Sequence, residues 1–195
     1  MGAVILVRHT EISSDWKGRC YGVSDVPLSD AGIAAIAPIA EHLAGQHPQR
    51  IFHSGLTRTQ KLAMAIAEHC NSPIEERTAF RELNFGTWEG RPWTAIFAET
   101  GHAMARMITE PETYAPHGGE TVCGVRNRVI SALLQIPPEG IHIVITHGGP
   151  MGAVRGTLKS IPAREWPDLV PDYGGTITLS HGDLSKLKLA IGLES

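Results

Sequence analysis

The stretch Ala3-Val4-Ile5-Leu6-Val7 runs directly into Arg8-His9-Thr10. Five consecutive apolar residues predict a strand that is buried on both faces, as in a parallel sheet. Ligands of open α/β sheets bind at the carboxyl ends of such strands. We therefore interpret His9 as a nucleophile and Arg8 as its phosphate-binding partner. Taken alone, the tripeptide would be better explained as a surface Arg-His pair that follows a strand.

The composition is that of an ordinary globular protein with one substantial core, since the chain has 195 residues, 42% of them hydrophobic and 19% charged. A net charge of −3 gives no electrostatic reason to expect a nucleic acid or an anionic membrane as a partner. No apolar run reaches the roughly 18 residues of a membrane span, and too few residues precede Arg8 for a signal peptide. We expect a cytoplasmic protein, and its assembly as a homodimer stays open.

The cysteines and histidines follow no metal-binding pattern. Cys20, Cys70 and Cys123 are odd in number and include no C-x-x-C pair, which argues against a disulfide scaffold or a zinc knuckle. None of the ten histidines belongs to an H-E-x-x-H motif. We expect neither a metal ion nor another cofactor.

Two further predicted strands end in residues that suit phosphate. Arg50 to His53 leads into a polar turn that contains Arg58, and Ile141 to Thr146 leads into His147. Strands that alternate with helices through right-handed crossovers place such ends at a common sheet edge. Two arginines and two histidines in one crevice suit a phosphoryl group, whose oxygens need fixed donors. The pattern predicts a single domain over residues 1–195, a three-layer α/β/α sandwich with a mostly parallel sheet.

Two segments outside these strand ends also have a predicted secondary structure. Trp93 to about Thr109 has helical spacing with a weak point at Gly101, and we interpret residues 92–118 as a helical lid or flank. Thr176 to Leu179 and Lys186 to Ile191 are predicted strands, joined by a turn between them.

Four motifs, in this order along the chain, resemble those of the histidine phosphatase superfamily, the phosphoglycerate-mutase-like proteins. They are Leu6-Val7-Arg8-His9-Thr10, Ser54-Gly55-Leu56-Thr57-Arg58-Thr59, Glu82 ahead of Gly86 and Trp88-Glu89-Gly90, and Thr146-His147-Gly148-Gly149. The resemblance spans nearly the whole chain and implies the phosphoglycerate-mutase-like fold.

The resemblance also implies a role for each matching residue. His9 corresponds to the nucleophile that becomes phosphorylated on a ring nitrogen. Arg8, Arg58 and His147 correspond to the phosphate pocket, with His147 also counted as catalytic. Glu82 corresponds to the general acid that protonates the leaving oxygen and then serves as the base for water. The reaction needs no metal, because the arginines and His147 supply the positive charge.

This chemistry sets requirements on two side chains. The nucleophilic histidine must have an unprotonated ring nitrogen, so another group must hold its second N–H. Glu82 must carry a proton when the ester bond breaks, and Phe80, Phe85 and Trp88 are near enough in sequence to desolvate it. We expect Glu89, the neighbouring acid, to be a solvated or helix-entry carboxylate.

A finer resemblance comes from the loop Gly18-Arg19-Cys20-Tyr21-Gly22 together with Thr10, where the family commonly has glycine. This combination looks like the alpha-ribazole phosphatases of cobalamin biosynthesis. Thr10 either narrows the pocket or adds a hydroxyl contact to phosphate. Arg19, Tyr21 and Gly148 are candidate substrate-binding residues. Arg19 is equally consistent with covering the loop, and for Tyr21 packing is favoured over stacking on a substrate.

The sequence therefore predicts a hydrolase, a phosphatase that cleaves a small phosphorylated metabolite through a phosphohistidine intermediate. Alpha-ribazole phosphate is the specific candidate substrate. The chain is short for the mutases of the family, which favours water as the phosphoryl acceptor. A broad-specificity or sugar-phosphate phosphatase is one alternative, and a catalytically silent phosphate-binding regulatory protein is an alternative of another class.

Overall fold

The sheet is built around the first predicted strand, which has neighbours on both sides. The computed structural model describes residues 2–193. The strands are β1 (Ala3–Arg8), β2 (Arg50–His53), β3 (Ile74–Glu76), β4 (Ile141–Thr146) and β5 (Thr176–Ser180). They pair in the order β3-β2-β4-β1-β5, and β5 alone runs antiparallel to its neighbour. The prediction of a mostly parallel sheet is confirmed.

Helices cover both faces of this sheet. They are α1 (Asp30–Ala34), α2 (Ile36–Ala44), α3 (Thr57–Cys70), α4 (Trp93–Thr100), α5 (Arg106–Thr109), α6 (Val122–Leu133), α7 (Gly148–Leu158) and α8 (His181–Ala190). Val4 and Leu6 of β1 pack into one apolar cluster with α6, α7 and α8, whereas Ile5 and Val7 pack into another with α2 and α3. Alternating side chains of one strand thus bind two helical layers, as expected for a three-layer sandwich.

The register of the parallel strands brings their carboxyl ends to one level. Arg8 of β1 is paired with Thr146 of β4, and Ile145 of β4 is paired with His53 of β2. The residues that follow these three strands therefore emerge side by side at one sheet edge. This edge holds the candidate site.

The prediction of a last strand over Lys186 to Ile191 is wrong, because these residues belong to α8 and its end. A capping box begins that helix: the Ser180 hydroxyl accepts from the Asp183 N–H over 3.2 Å, and the Asp183 carboxylate accepts from the Ser180 N–H over 3.0 Å. The expected turn is thus the first turn of a helix. Leu187 anchors this helix by packing, fully buried, into the apolar cluster on its face of the sheet.

The segment from Trp93 to Thr109 is helical and interrupted, as predicted. Between α4 and α5 lies a 3₁₀ helix over Gly101–Ala105, and Gly101 has a φ of +55°. Such a φ is favourable for glycine, which explains the break at this residue. The role of residues 92–118 as a lid stays a prediction.

Residues 2–193 form a single α/β domain; the remaining ends of the predicted span, residues 1 and 194–195, lie outside the described residues. Within the described part of the chain, no helix combines the length and the hydropathy needed to cross a lipid bilayer.

Candidate active site

His9 lies directly after β1 and is almost completely buried, with 2% of its surface exposed. Its Nδ1 is 2.7 Å from the backbone oxygen of Thr10. A carbonyl can only accept, so Nδ1 carries the proton and Nε2 keeps a free lone pair. Burial and the positive charges of Arg58 and Arg8 lower the pKa of His9 to about 3, against the opposing effect of the Thr10 carbonyl. The ring is therefore neutral at physiological pH.

His147, which follows β4, lies beside His9 with 5.1 Å between the two ring centroids. Its Nδ1 accepts from Arg58 Nε over 3.3 Å, and its Nε2 is 2.8 Å from the Ser54 hydroxyl. Because Arg58 can only donate, the proton of His147 resides on Nε2 and is donated to Ser54. Burial, with the charge of Arg58 second, holds the pKa of His147 well below its usual range.

Arg58 is a completely buried guanidinium in the first turn of α3. It donates to the backbone oxygens of Gly22 over 2.6 Å and Ser24 over 2.8 Å. Burial lowers its pKa, because desolvation disfavours the charged form. No ion pair found within residues 2–193 includes Arg58. A buried cation held only by carbonyls and an imidazole is suited to receive an anion.

Two buried polar atoms without a hydrogen-bond partner belong to the residues on either side of His9. They are Arg8 Nε and the Thr10 hydroxyl. The rest of the Arg8 guanidinium is fixed, since Nη1 donates to the Pro171 oxygen over 2.8 Å and the group lies 4.1 Å from the centroid of the Tyr173 ring. Buried polar groups normally have partners, so these two atoms point to a ligand that supplies acceptors.

The amino terminus of α7 adds a further source of positive potential. The helix begins immediately after His147 and continues for eleven residues. Its first residue, Gly148, lies against Arg8: a Cβ atom placed on Gly148 would be 3.6 Å from Arg8 Nε and 3.0 Å from the nearest Val170 atom. Gly148 thus lies at the first position of α7, directly after His147, and leaves room beside the Arg8 guanidinium.

Glu82 is held by backbone donors at the same helix terminus. Its Oε2 accepts from the Gly149 N–H over 3.0 Å and its Oε1 accepts from the Leu83 N–H over 2.9 Å. The carboxyl group therefore has a fixed orientation at the beginning of α7. A cavity of about 380 Å³ opens beside it.

Arg19 and Tyr21 both line that cavity. Arg19 Nη1 donates to the Gly90 oxygen over 3.0 Å, and the hydroxyl groups of Tyr21 and Tyr173 are 3.3 Å apart. The loop after β1 thus contributes to the cavity wall, while Cys20 between the two residues is buried in the core.

The expectation that Glu89 is solvated is wrong. Its carboxylate accepts backbone N–H groups from Gly22, Val23, Ser24 and Phe85, at 3.0 to 3.1 Å. Burial by itself would raise the pKa of Glu89, but these hydrogen bonds and that of the Ser24 hydroxyl bring it below its ordinary value. Glu89 therefore fixes the loop whose carbonyls hold the buried arginine.

Sequence reasoning also passed over three other residues of the site. Ser54 is in a quoted motif at the end of β2, and that position could have identified it. Tyr173 stacks on Arg8, and its ring centroid is 5.6 Å from that of His9, yet no motif includes it. Arg128 of α6 holds the backbone of Glu82 from another face. No local sequence pattern identifies Tyr173 or Arg128 as a residue of the site.

The sequence model of the histidine phosphatase superfamily (branch 1) matches residues 4–188 of this chain. The chain belongs to the histidine phosphatase superfamily. Among its relatives, a probable phosphoglycerate mutase of Yersinia pestis (strain Pestoides F) is 31% identical over 163 residues, which cover 82% of this chain and 76% of that protein.

Solved structures also resemble this histidine phosphatase. A mycobacterial glucosyl-3-phosphoglycerate phosphatase in complex with VO3 has a TM-score of 0.79 and 27% identity, with 94% of each chain covered. The YhfR protein of Bacillus stearothermophilus has a TM-score of 0.79 and 24% identity, with 96% of this chain and 100% of that chain covered. The second likeness supports the phosphoglycerate-mutase-like fold alone.

Proposed function

We propose that this histidine phosphatase is a phosphomonoesterase in which His9 carries the phosphoryl group. The observation that supports this most directly is the state of the His9 ring. It is neutral, its Nδ1 proton is held by the Thr10 oxygen, and its Nε2 lone pair is free. An imidazole in this state is ready to attack phosphorus without prior deprotonation.

The proposed first step transfers the phosphoryl group from substrate to enzyme. Nε2 of His9 forms a bond to phosphorus while the bond between phosphorus and the ester oxygen breaks. Glu82 gives its proton to the departing oxygen, which leaves as an alcohol. The products of this step are phosphohistidine and the Glu82 carboxylate.

The second step returns the enzyme to its starting state. Glu82 accepts a proton from water, the water oxygen forms a bond to phosphorus, and the bond from phosphorus to His9 Nε2 breaks. Inorganic phosphate leaves, and His9 is again neutral. A single carboxyl group thus serves as acid and then as base.

The phosphate oxygens would be held by the groups that lack partners in the structure. Arg8 Nε and the Thr10 hydroxyl are buried atoms without partners on either side of His9, and the Arg58 guanidinium and the amino terminus of α7 add positive charge. His147, neighbouring both His9 and Arg58, completes the enclosure. Because the two arginines and the helix terminus supply the positive charge, whereas the buried His147 is neutral, we propose that the reaction proceeds without a metal ion.

The test of this proposal is the detection of phosphohistidine. After mixing with p-nitrophenyl phosphate and rapid quenching in alkali, the native enzyme should gain the mass of one phosphoryl group on the peptide containing His9. His9→Ala should gain none and should lose turnover, with unchanged circular dichroism as the folding control. Turnover retained by His9→Ala would contradict the mechanism. Loss of turnover on addition of a chelator would contradict metal independence.

The specific substrate candidate is alpha-ribazole phosphate, an intermediate of cobalamin biosynthesis. It is supported by the Thr10 hydroxyl beside the nucleophile and by the Arg19–Tyr21 segment in the wall of the cavity. A panel of phosphorylated metabolites separates it from a broad-specificity or sugar-phosphate phosphatase. Lack of preference for the ribazole ester would reject this assignment and leave the phosphatase class intact.

Two other activities belong to the same test. The relatives include a probable phosphoglycerate mutase, and transfer of phosphate between two positions of phosphoglycerate would appear by ³¹P NMR without release of inorganic phosphate. A catalytically silent phosphate-binding regulator would bind phosphate but hydrolyse nothing across the panel. The ready nucleophile and the fixed carboxyl group favour catalysis over silent binding.

A further inference from the structure

The cavity beside Glu82 is in a position to receive the leaving group of a bound ester. It has a volume of about 380 Å³ and reaches both Glu82 and Gly149, whose N–H is bound to the Glu82 carboxyl group. If Glu82 gives its proton to the ester oxygen, the carbon attached to that oxygen continues into this space. The chemistry of the cavity wall therefore selects the substrate.

The wall is built from apolar and aromatic side chains. The apolar residues that line it include Phe85, Trp93, Val122, Ala163, Trp166 and Val170. Phe85 and Trp93 meet edge to face with 5.5 Å between their ring centroids. The one polar atom of the Trp166 side chain is already committed, since Nε1 donates to the Ile161 oxygen over 2.8 Å.

Few polar side chains of the described residues face the cavity, and those that do have other partners. They are Arg19, Tyr21 and Glu82. Arg19 donates to the Gly90 oxygen, and the Tyr21 hydroxyl is paired with that of Tyr173. A leaving group with several hydroxyls or a carboxylate would lose its hydrogen bonds to water and would face apolar carbon atoms along most of its surface. An unpaired buried polar group disfavours binding strongly.

We infer that the enzyme acts on phosphate monoesters whose leaving alcohol carries an aromatic or branched apolar group that fills this cavity. This inference rests on the proposed function and specifies its substrate class. The volume lies within the range of small-molecule sites, about 300–1,000 Å³, and suits a group of one or two rings. Small polyols, amino acids and glycerate fit the site sterically but leave the apolar walls without contacts.

The experiment compares esters that all release a primary alcohol but differ in the group attached to it: phenylpropyl phosphate, glycerol 1-phosphate and phosphoserine. Because glycerol and serine are the more acidic alcohols, leaving-group acidity favours the polar esters, and a higher kcat/KM for phenylpropyl phosphate reports the contacts of its leaving group. We expect phenylpropyl phosphate to be favoured over either polar ester by about 100-fold. Equal rates, or a preference for a polar ester, would overturn the inference.

Filling the cavity provides a second, independent arm. Val122→Phe and Ala163→Phe each add a ring to the wall and should reduce the preference for phenylpropyl phosphate by about 10-fold or more. Ile108→Phe is the matched control, because Ile108 is 39% exposed and lies outside the cavity. Two separate positions and a thermal melt of each variant guard against loss of folding. An unchanged preference in both folded variants would contradict the inference.

Affinity measurements separate this inference from the proposed reaction. Phenylbutylphosphonate and the phosphonate analogue of phosphoserine cannot be hydrolysed, so calorimetric titration reports the cavity independently of turnover. Tighter binding of the phenyl compound supports the apolar class even if p-nitrophenyl phosphate were not turned over. If phosphohistidine forms but the polar ligands bind more tightly, the proposed phosphatase mechanism is supported and the apolar substrate class is refuted.

Discussion

The guanidinium of Arg128 donates to the backbone oxygen of Glu82 over 2.9 Å. The same group donates to the backbone oxygens of Ala79 and Arg81, both over 2.8 Å, and forms a two-point ion pair with Glu120. These bonds engage all five N–H groups of an arginine. Helix α6 therefore fixes the backbone that presents the proposed acid.

Replacing Arg128 by lysine should impair proton donation more than phosphate binding. Lysine keeps the charge but cannot reach five acceptor oxygens in a planar arrangement. We expect kcat/KM for an alkyl phosphate, which needs an acid, to fall by about 10- to 100-fold, and that for p-nitrophenyl phosphate to change by about threefold or less. Arg126→Lys on the same helix, whose guanidinium contacts only its neighbour Asn127, is the control. Equal losses with both esters would argue for a purely structural role of Arg128.

Arg58→Lys should weaken the hold on the transferring phosphoryl group. An ammonium cannot bond simultaneously to Gly22, Ser24 and His147 as the guanidinium does. We expect kcat/KM to fall by about 10²- to 10³-fold, with a matching rise in the inhibition constant of inorganic phosphate. Arg50→Lys, at a partly exposed ion pair with Glu75, should leave both quantities unchanged. Phosphate inhibition unaffected by Arg58→Lys would remove Arg58 from the pocket.

Stability should fall as the pH is lowered below 6.5. The pKa of His9 in the folded protein is about 3 and that of His147 is also well below the ordinary value, so the unfolded chain binds protons that the folded chain does not. Each imidazole then reduces the free energy of unfolding by about 1.4 kcal/mol per pH unit, over the window between its unfolded and folded pKa values. Urea denaturation from pH 7 to 5 measures this slope.

The matched variant for that slope is His9→Asn, whose amide can still donate to the Thr10 oxygen. The slope of the unfolding free energy against pH should fall by the contribution of about one proton in this variant, because asparagine does not titrate. His42→Asn is the control, since it changes a histidine outside the candidate site. An unaltered slope in His9→Asn would show that His9 is protonated in the folded protein.

Glu89→Gln should loosen the loop that holds Arg58. Glutamine offers one acceptor oxygen where the carboxylate offers two, and its NH₂ group would face backbone N–H donors. We expect a loss of about 1–3 kcal/mol in the free energy of unfolding, measured by urea denaturation at pH 7, together with reduced kcat/KM. Glu99→Gln removes an exposed ion pair with Arg91 and should have little effect. Equal stability of the two variants would contradict the assigned role of Glu89.

The sheet and the convergence of the strand ends were accessible from the sequence, because each of the three central strands has an apolar segment and is followed by polar residues. Right-handed crossovers then place these ends, with His9 and His147, at one edge of the sheet. Their observed separation of 5.1 Å between ring centroids agrees with that arrangement.

Part of helix α8 was predicted to be a strand because a strand-like and a helix-like sequence pattern overlap near the end of the chain. Lys186-Leu187-Lys188-Leu189 alternates as a strand does, and this local pattern outweighed a helix signal six residues earlier. The capping box of Ser180 and Asp183, and the burial of Leu187, decide for the helix. Contacts of this kind depend on the neighbouring helices, which a local pattern does not describe.

The roles of Tyr173, Glu89 and Arg128 could not be read from the sequence for a different reason. Their partners are backbone groups or side chains distant along the chain, such as the Arg8 guanidinium for Tyr173 and the Gly22 N–H for Glu89. Backbone acceptors and donors have no residue identity, so no motif can encode these bonds. Only the folded chain brings them together.

The bond that sets the tautomer of His9 is made by the very next residue of the chain. The helices and loops that line the cavity beside Glu82 do not make this bond, and the ring is kept neutral by burial and by Arg58 and Arg8, which lie outside the cavity wall. Mutations that accumulate in those outer walls can therefore redirect the enzyme to new esters while its reactivity is inherited intact, which makes such a scaffold well suited to diversification by gene duplication.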